Sequence, residues 1–203
     1  MDSKRNNILI IYAHPYPHLS RVNESLRREA STLKAVTLVD LYASYPDFII
    51  DTHKEQERLL NHQLIIFQHP LYWYSCPPLL KEWIDAVLTQ WFAFGPGGDQ
   101  LKNKDFLQVI STGAPWNHYL RQGTYRFTVA EILRPFEATV ALCQMRYHFP
   151  FLVQGVRKLD ETQLAEKAAA YRQLLTHYCQ KGSAVLKEFD SINHHPSEKE
   201  IYF

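Results

Sequence analysis

A doubly wound α/β fold around a parallel sheet is predicted by three observations. Short, apolar, β-branched runs alternate with segments of helical periodicity. The connections between them are short. Several of the apolar runs stop at a chemically distinctive loop: His14-Pro15, His69-Pro70 and Ser111-Thr112-Gly113.

The first run, Ile8-Leu9-Ile10-Ile11-Tyr12-Ala13, is continuous rather than alternating, as a parallel strand buried on both faces should be. Two prolines in His14-Pro15-Tyr16-Pro17-His18 enforce a loop. Ser20 then reads as the N-cap of a helix carrying Val22, Leu26 and Leu33 on one face. Val36 to Val39 is a second strand, Tyr42 to Asp51 an aromatic connection, and Lys54 to Asn61 a short helix. Leu64 to Phe67 is a third strand. Pro77-Pro78 opens a helix whose apolar positions run Leu79, Leu80, Trp83, Ile84, Val87, Leu88 and Trp91. Phe106 to Ile110 is a fourth strand, Glu131 to Met145 is helical around Pro135, and Phe149 to Val153 is a fifth strand. Leu164, Ala168, Tyr171, Leu175 and Tyr178 mark a last helix. Residues 1–182 therefore read as one domain. Residues 183–203 read as a polar, mobile tail.

Composition narrows the function. The chain has 203 residues, 46% apolar and 13% aromatic, enough for one ordinary core and too apolar for global disorder. Twenty-two Lys and Arg against 21 Asp and Glu leave a net charge of +1, without the basic excess of a nucleic-acid binder. No apolar run approaches the length of a membrane span, and Met1 to Asn7 does not have a signal-peptide layout. Three widely spaced cysteines, Cys76, Cys143 and Cys179, form neither a disulfide framework nor a zinc ribbon and suggest the cytoplasm. Ten histidines show no metal-site spacing, and no metal is expected. His194-His195 reads as a solvated pair. The G-x-G-x-x-G, phosphate-loop and G-x-S-x-G motifs are all absent.

Doubly wound sheets bind ligands beyond the carboxyl ends of their strands, which selects three loops, 14–20, 69–77 and 111–119. The first runs into a helix N-terminus, where free N–H groups suit an anion, with His14, Ser20 and Asn23 adding side-chain donors. Equally, Ser20 could only cap the helix and His14 only end the strand. The second carries Tyr72, Trp73 and Tyr74, suited either to a flat ligand ring or to a sheet cover or subunit contact. The third offers Ser111, Thr112 and Gly113, the glycine allowing close backbone approach. Cys76 reads as a packed thiol.

Longer strings carry a resemblance. Ile10 to Pro15, Ser20-Arg21-Val22-Asn23, Gln68-His69-Pro70-Leu71-Tyr72-Trp73-Tyr74-Ser75 and Phe92-Ala93-Phe94-Gly95-Pro96-Gly97-Gly98 resemble the flavodoxin-like NAD(P)H:quinone oxidoreductases. Tyr45-Pro46-Asp47-Phe48, Tyr74-Ser75-Cys76-Pro77, Leu79-Leu80-Lys81-Glu82-Trp83 and Leu133-Arg134-Pro135-Phe136-Glu137 resemble the bacterial KefF/KefG branch, and the KefG group within it in particular. That branch comprises ancillary proteins of glutathione-gated potassium efflux.

The resemblance implies a three-layer flavodoxin-like fold with a five-stranded parallel sheet, a homodimer and bound FMN, with FAD as the alternative. It places His14, Ser20, Arg21, Val22 and Asn23 at the flavin phosphate and ribityl chain, and Leu71, Tyr72, Trp73 and Tyr74 along the isoalloxazine. Ser111, Thr112, Gly113 and Ala114 fall at the ring's pyrimidine edge, where the family usually has Thr-Thr-Gly-Gly. Tyr119 is the implied catalytic residue, carrying charge during hydride transfer. Phe94 is the implied wall of the partner subunit's substrate pocket. The histidine that accompanies the tyrosine in animal members is replaced, at the equivalent offset, by Tyr125. The implied activity is a two-electron relay from NAD(P)H to a quinone or other electrophile. The implied setting is the cytoplasm, at the cytosolic domain of an efflux antiporter on the inner membrane. A purely regulatory flavin subunit with little turnover, or a general reductase without an antiporter partner, are the alternatives. A one-electron flavodoxin carrier fits less well, since those carriers are acidic and have hydroxyl-rich phosphate loops.

Overall fold

The computed structural model describes residues 6–193. Its strands are β1 (Ile8–Tyr12), β2 (Val36–Asp40), β3 (Leu64–Pro70), β4 (Asp105–Thr112), β5 (Arg146–Tyr147) and β6 (Phe151–Gln154). All pairings are parallel, in the order β2-β1-β3-β4-β5, with β6 also on β4. β5 pairs with Asp105 and Phe106, and β6 with Val109 to Thr112, so the fifth sheet position is one strand interrupted around His148 to Pro150. The chain leaves β1 toward β2 and returns across β1 to β3. The order of strands therefore reverses between β1 and β3, and a crevice opens at their carboxyl ends.

Among the described residues, eight α-helices cover the sheet: α1 (Arg21–Ala30), α2 (Leu41–Ser44), α3 (Thr52–Leu60), α4 (Pro78–Val87), α5 (Val129–Ile132), α6 (Arg134–Leu142), α7 (Glu161–Lys181) and α8 (Ser183–Asn193). Two buried clusters result. One packs Val22 and Leu26 of α1, Tyr171, Leu175 and Tyr178 of α7 and Leu186 of α8 against Ile8, Ile10, Leu107 and Val109. The other packs Leu79, Leu80, Trp83 and Phe136 against Leu9, Ile11, Phe67 and Phe106. Alternate side chains of β1 thus serve opposite faces, which is why its sequence is apolar throughout.

Several expectations need correction. The helix from Pro78 ends at Val87, and Trp91 lies in the following loop with φ 72. Its last carbonyls are met by a neighbouring helix instead of by more helix: Thr52 Oγ1 donates to Ala86 O, and Gln56 Nε2 to Val87 O at 2.9 Å. The segment around Pro135 is two helices, because Leu133, at φ −86° and ψ 0°, breaks the run before the proline. A capping box, Thr128 with Glu131, starts the first of them earlier than expected. The connection from Tyr42 contains the end of α2, capped by Asp40. Residues 183–193 are not a polar tail. Gly182, with φ 64, turns the chain, and α8 buries Val185 and Leu186 on the sheet. The rest of that expected tail, with His194-His195, lies outside the described residues.

Candidate functional site

The crevice is built from the three loops at the carboxyl edge, and each pair of loops is tied together. Ser20 caps α1 with its side chain, accepting from Asn23 N at 3.2 Å and from Asn23 Nδ2 at 3.1 Å. Both bonds use the oxygen as acceptor, leaving the single hydroxyl proton to donate. The amides of Arg21 and Val22, in the first helical turn, have no carbonyl a turn earlier to meet. Asn23 Nδ2 also donates to Ser111 Oγ at 2.7 Å, joining the first loop to the end of β4. Leu71 N donates to Ser111 O at 2.8 Å, joining the second loop to the same residue. Tyr74 meets Tyr125 edge-on at 5.6 Å, and His14 meets Tyr72 edge-on at 6.1 Å.

His14 is buried, and its Nδ1 accepts from Tyr16 N at 3.1 Å, so the ring proton sits on Nε2. Burial, reinforced by the neighbouring His18, holds its pKa below the ordinary value. The imidazole is therefore a neutral donor at neutral pH. Val22 has its side chain in the core, so only its amide is available. The Arg21 guanidinium pairs with Glu161 at 2.6 Å and donates to Leu159 O.

In the second loop, Tyr72 and Ser75 close a tight turn through reciprocal backbone bonds, with Trp73 and Tyr74 at φ 48 and 63. Positive φ at both central positions is unusual for aromatic residues. The turn projects Trp73 into solvent, 93% exposed, with Tyr72 and Tyr74 half-exposed beside it. Leu71 packs on the core below. Burial raises the Cys76 thiol above its ordinary pKa, consistent with a packed cysteine.

In the third loop, Thr112 Oγ1 donates to Ala114 O at 2.7 Å, and Gly155 N donates to the same carbonyl at 2.9 Å. Gly113 is exposed, and a side chain there would meet only Arg157 Nε, at 3.9 Å. Tyr119 is buried beneath the loop, 5.1 Å from Tyr125, which also faces His118 at 5.6 Å. Burial raises the Tyr119 pKa, partly offset by the Thr112 hydroxyl. The phenol therefore keeps its proton at neutral pH and acts as a donor. Phe94 follows α4 and is half-buried against the same core cluster that Leu71 and Ala114 pack on, with its carbonyl taken by Trp91 N.

The sequence pattern of the flavodoxin-like fold family matches residues 6–175. The chain belongs to this family. Among curated flavodoxin-like relatives it is similar to the glutathione-regulated potassium-efflux system ancillary protein KefG of Pectobacterium carotovorum: 47% identity over 173 residues, 85% of this chain and 94% of that one. Among solved flavodoxin-like structures, the general stress protein 14 of Treponema denticola in complex with FMN superposes with a TM-score of 0.79 at 35% identity, covering 84% of this chain and 98% of that one. An NADPH-quinone reductase from P. pentosaceus superposes with a TM-score of 0.76 at 33% identity, covering 82% and 96%.

One residue that organises this flavodoxin-like crevice was not singled out from sequence. Gln68, buried in β3, donates through Nε2 to Asn23 O at 2.9 Å and steadies the start of α1. Its signal was available: a polar side chain inside a fully buried strand has to find partners.

Proposed function

We propose that the chain is an FMN-dependent NAD(P)H:quinone oxidoreductase-type protein that acts as the ancillary subunit of a glutathione-gated potassium-efflux antiporter. The observation that carries the reading is the Asn23–Ser111 bond of 2.7 Å at the switch point. It holds a helix N-terminus and a hydroxyl-lined strand end in one crevice, an anion site beside a site for a polar ring edge. Similarity to KefG along 85% of the chain supports the antiporter partner.

The residues present fit FMN. The Arg21 and Val22 amides, the Ser20 hydroxyl and the neutral His14 Nε2–H would hold its phosphate, a donor set that matches a dianion. Asn23 Oδ1 is buried with no partner among the described residues, an acceptor suited to a ribityl hydroxyl. Tyr72, Trp73 and Tyr74 would lie along the ring. The bound flavin supplies reversible two-electron chemistry between NAD(P)H and a quinone or related electrophile. The loop 112–114 and the Tyr119 phenol would stand at its pyrimidine edge and stabilise negative charge as it develops there. A crevice that receives nicotinamide and acceptor in turn needs no separate dinucleotide motif, in keeping with the absence of G-x-G-x-x-G. The protein works in the cytoplasm, as a homodimer in which Phe94 lines the partner's pocket.

The test has three arms. The absorbance spectrum of the purified protein, with chromatography of the heat-released flavin, should show FMN; FAD alone overturns the cofactor. Oxidation of NADPH with menadione should be flavin-dependent. Capture of the antiporter's cytosolic domain should occur whether or not turnover is fast, and its absence removes the ancillary role.

A further inference from the structure

A polar relay crosses three strands, from half-buried Tyr147 to fully buried Gln108 and His69, and the proposed chemistry does not use it. At its outer end, the Tyr147 hydroxyl on β5 donates to Gln108 Oε1 on β4 at 2.9 Å. That bond sets the amide's orientation and turns Gln108 Nε2 toward His69 on β3, at 3.4 Å from the imidazole Nε2. An amide nitrogen only donates, so His69 Nε2 accepts and the ring proton sits on Nδ1. Nδ1 lies 3.0 Å from Pro70 O and donates to it. His69 is fully buried and stacks on Phe136 of α6 at 5.8 Å. Burial lowers its pKa to about 4, so this tautomer persists through neutral pH.

Pro70 is the last residue of β3, and its carbonyl belongs to the peptide whose amide is Leu71 N. That amide donates to Ser111 O at 2.8 Å. Both polar groups of the Pro70–Leu71 peptide are therefore claimed, one by His69 and the other by the third loop. Proline removes a further degree of freedom by restricting its own φ. The next residues are the aromatic turn Tyr72 to Ser75.

We propose that His69 is a positioning residue that locks the Pro70–Leu71 peptide and thereby aims the aromatic loop at the flavin. The proposal deepens the FMN reading and rests on it for the identity of what the loop faces. The lock itself is a property of the ligand-free chain. An apolar residue would fill the same space, but it would leave the Pro70 carbonyl and the Gln108 amide buried without partners.

The test compares His69→Phe, which keeps a ring against Phe136 but has no nitrogen, with His69→Asn, whose amide N–H can take the place of Nδ1–H. Tyr147→Phe, which removes one hydroxyl at the far end of the relay, gives a milder variant that retains the core. Hydrogen exchange at the Leu71 amide of the flavin-free protein is the first readout, and FMN affinity by fluorescence quenching the second. His69→Phe should speed Leu71 exchange and weaken FMN, each by about tenfold, the loss expected from one broken buried hydrogen bond. His69→Asn should stay near the native values, and Tyr147→Phe should fall between. Native-like exchange in both His69→Phe and Tyr147→Phe overturns the lock, as does equal loss in His69→Phe and His69→Asn. Faster exchange with unchanged FMN affinity overturns the aiming role. Native protein that binds no FMN overturns the cofactor reading itself, and the aiming role with it, whatever the exchange shows.

Discussion

Tyr119 shows how much a single residue's role depends on its surroundings. Its phenol is buried beneath the third loop, protonated at neutral pH and in reach of the Thr112 hydroxyl. If it donates to charge that develops only as the flavin is reduced, its hydrogen bond acts on the transition state rather than on binding. Tyr119→Phe is therefore expected to retain FMN and slow flavin reduction by NAD(P)H about tenfold, or about 1.4 kcal/mol. Stopped-flow bleaching of the flavin band reads this directly; a native rate constant assigns Tyr119 to packing alone. The sequence marked Tyr119, Asn23 and Ser111 separately. It did not show that Asn23 and Ser111 touch, because 88 residues separate them and only the sheet order brings α1 to the end of β4.

Among the elements, α8 departs most from its sequence expectation. Its polar surface disguised a short apolar stripe, Val185, Leu186 and Phe189, with Phe189 stacked on Phe151 at 6.3 Å. Leu186 is fully buried. Leu186→Ala should cost about 2–5 kcal/mol, as large-to-small changes in a core do. A urea midpoint within error of native would show that the helix contributes nothing to the fold. The same helix closes a polar cluster under the sheet. Asp105 accepts from Arg146 Nε at 2.8 Å, from Tyr178 OH at 2.8 Å and from Ser183 Oγ. His148 bridges Asp105 at 2.9 Å and Asp190 of α8 at 2.7 Å. Burial opposes charge on His148, but the two carboxylates outweigh it and raise its pKa above the ordinary value. A raised folded-state pKa stabilises fully below about pH 6.5 and is lost as pH climbs through the folded value. The buried, pKa-lowered His14, His62 and His69 act with the opposite sign. The informative quantity is therefore native minus His148→Gln. That difference in urea stability should shrink from pH 6 to pH 9, and a constant difference removes His148 from the clasp.

At the scale of the whole molecule, aromatic side chains crowd the surface. Trp91 is 64% exposed, in the loop that follows α4, and Trp73 and Phe127 are exposed as well. Large apolar groups left outside a core mark a contact surface, and closed two-fold pairing is the commonest way to cover one. The protein is expected to sediment as a dimer at micromolar concentration, and Trp91→Glu should shift it toward monomer. A native monomer would remove the partner role of Phe94 with it.

Fold class, the first three strands, the capped start of α1 and the three candidate loops were all legible in the sequence. These features rest on local rules: buried parallel strands are apolar throughout, prolines stop strands, and a serine before a helix caps it. What tertiary structure decided depends on groups distant in the chain. α4 stops at Val87 because Thr52 and Gln56 of another helix take its last carbonyls. The Arg21 guanidinium takes its direction from Glu161, 140 positions away in the chain. α8 folds back because the sheet presents an apolar face and the buried Asp105 cluster as docking partners. Hydrophobic periodicity reports which face of an element is buried. It does not report which polar partner, brought close by the order of the strands, completes each end.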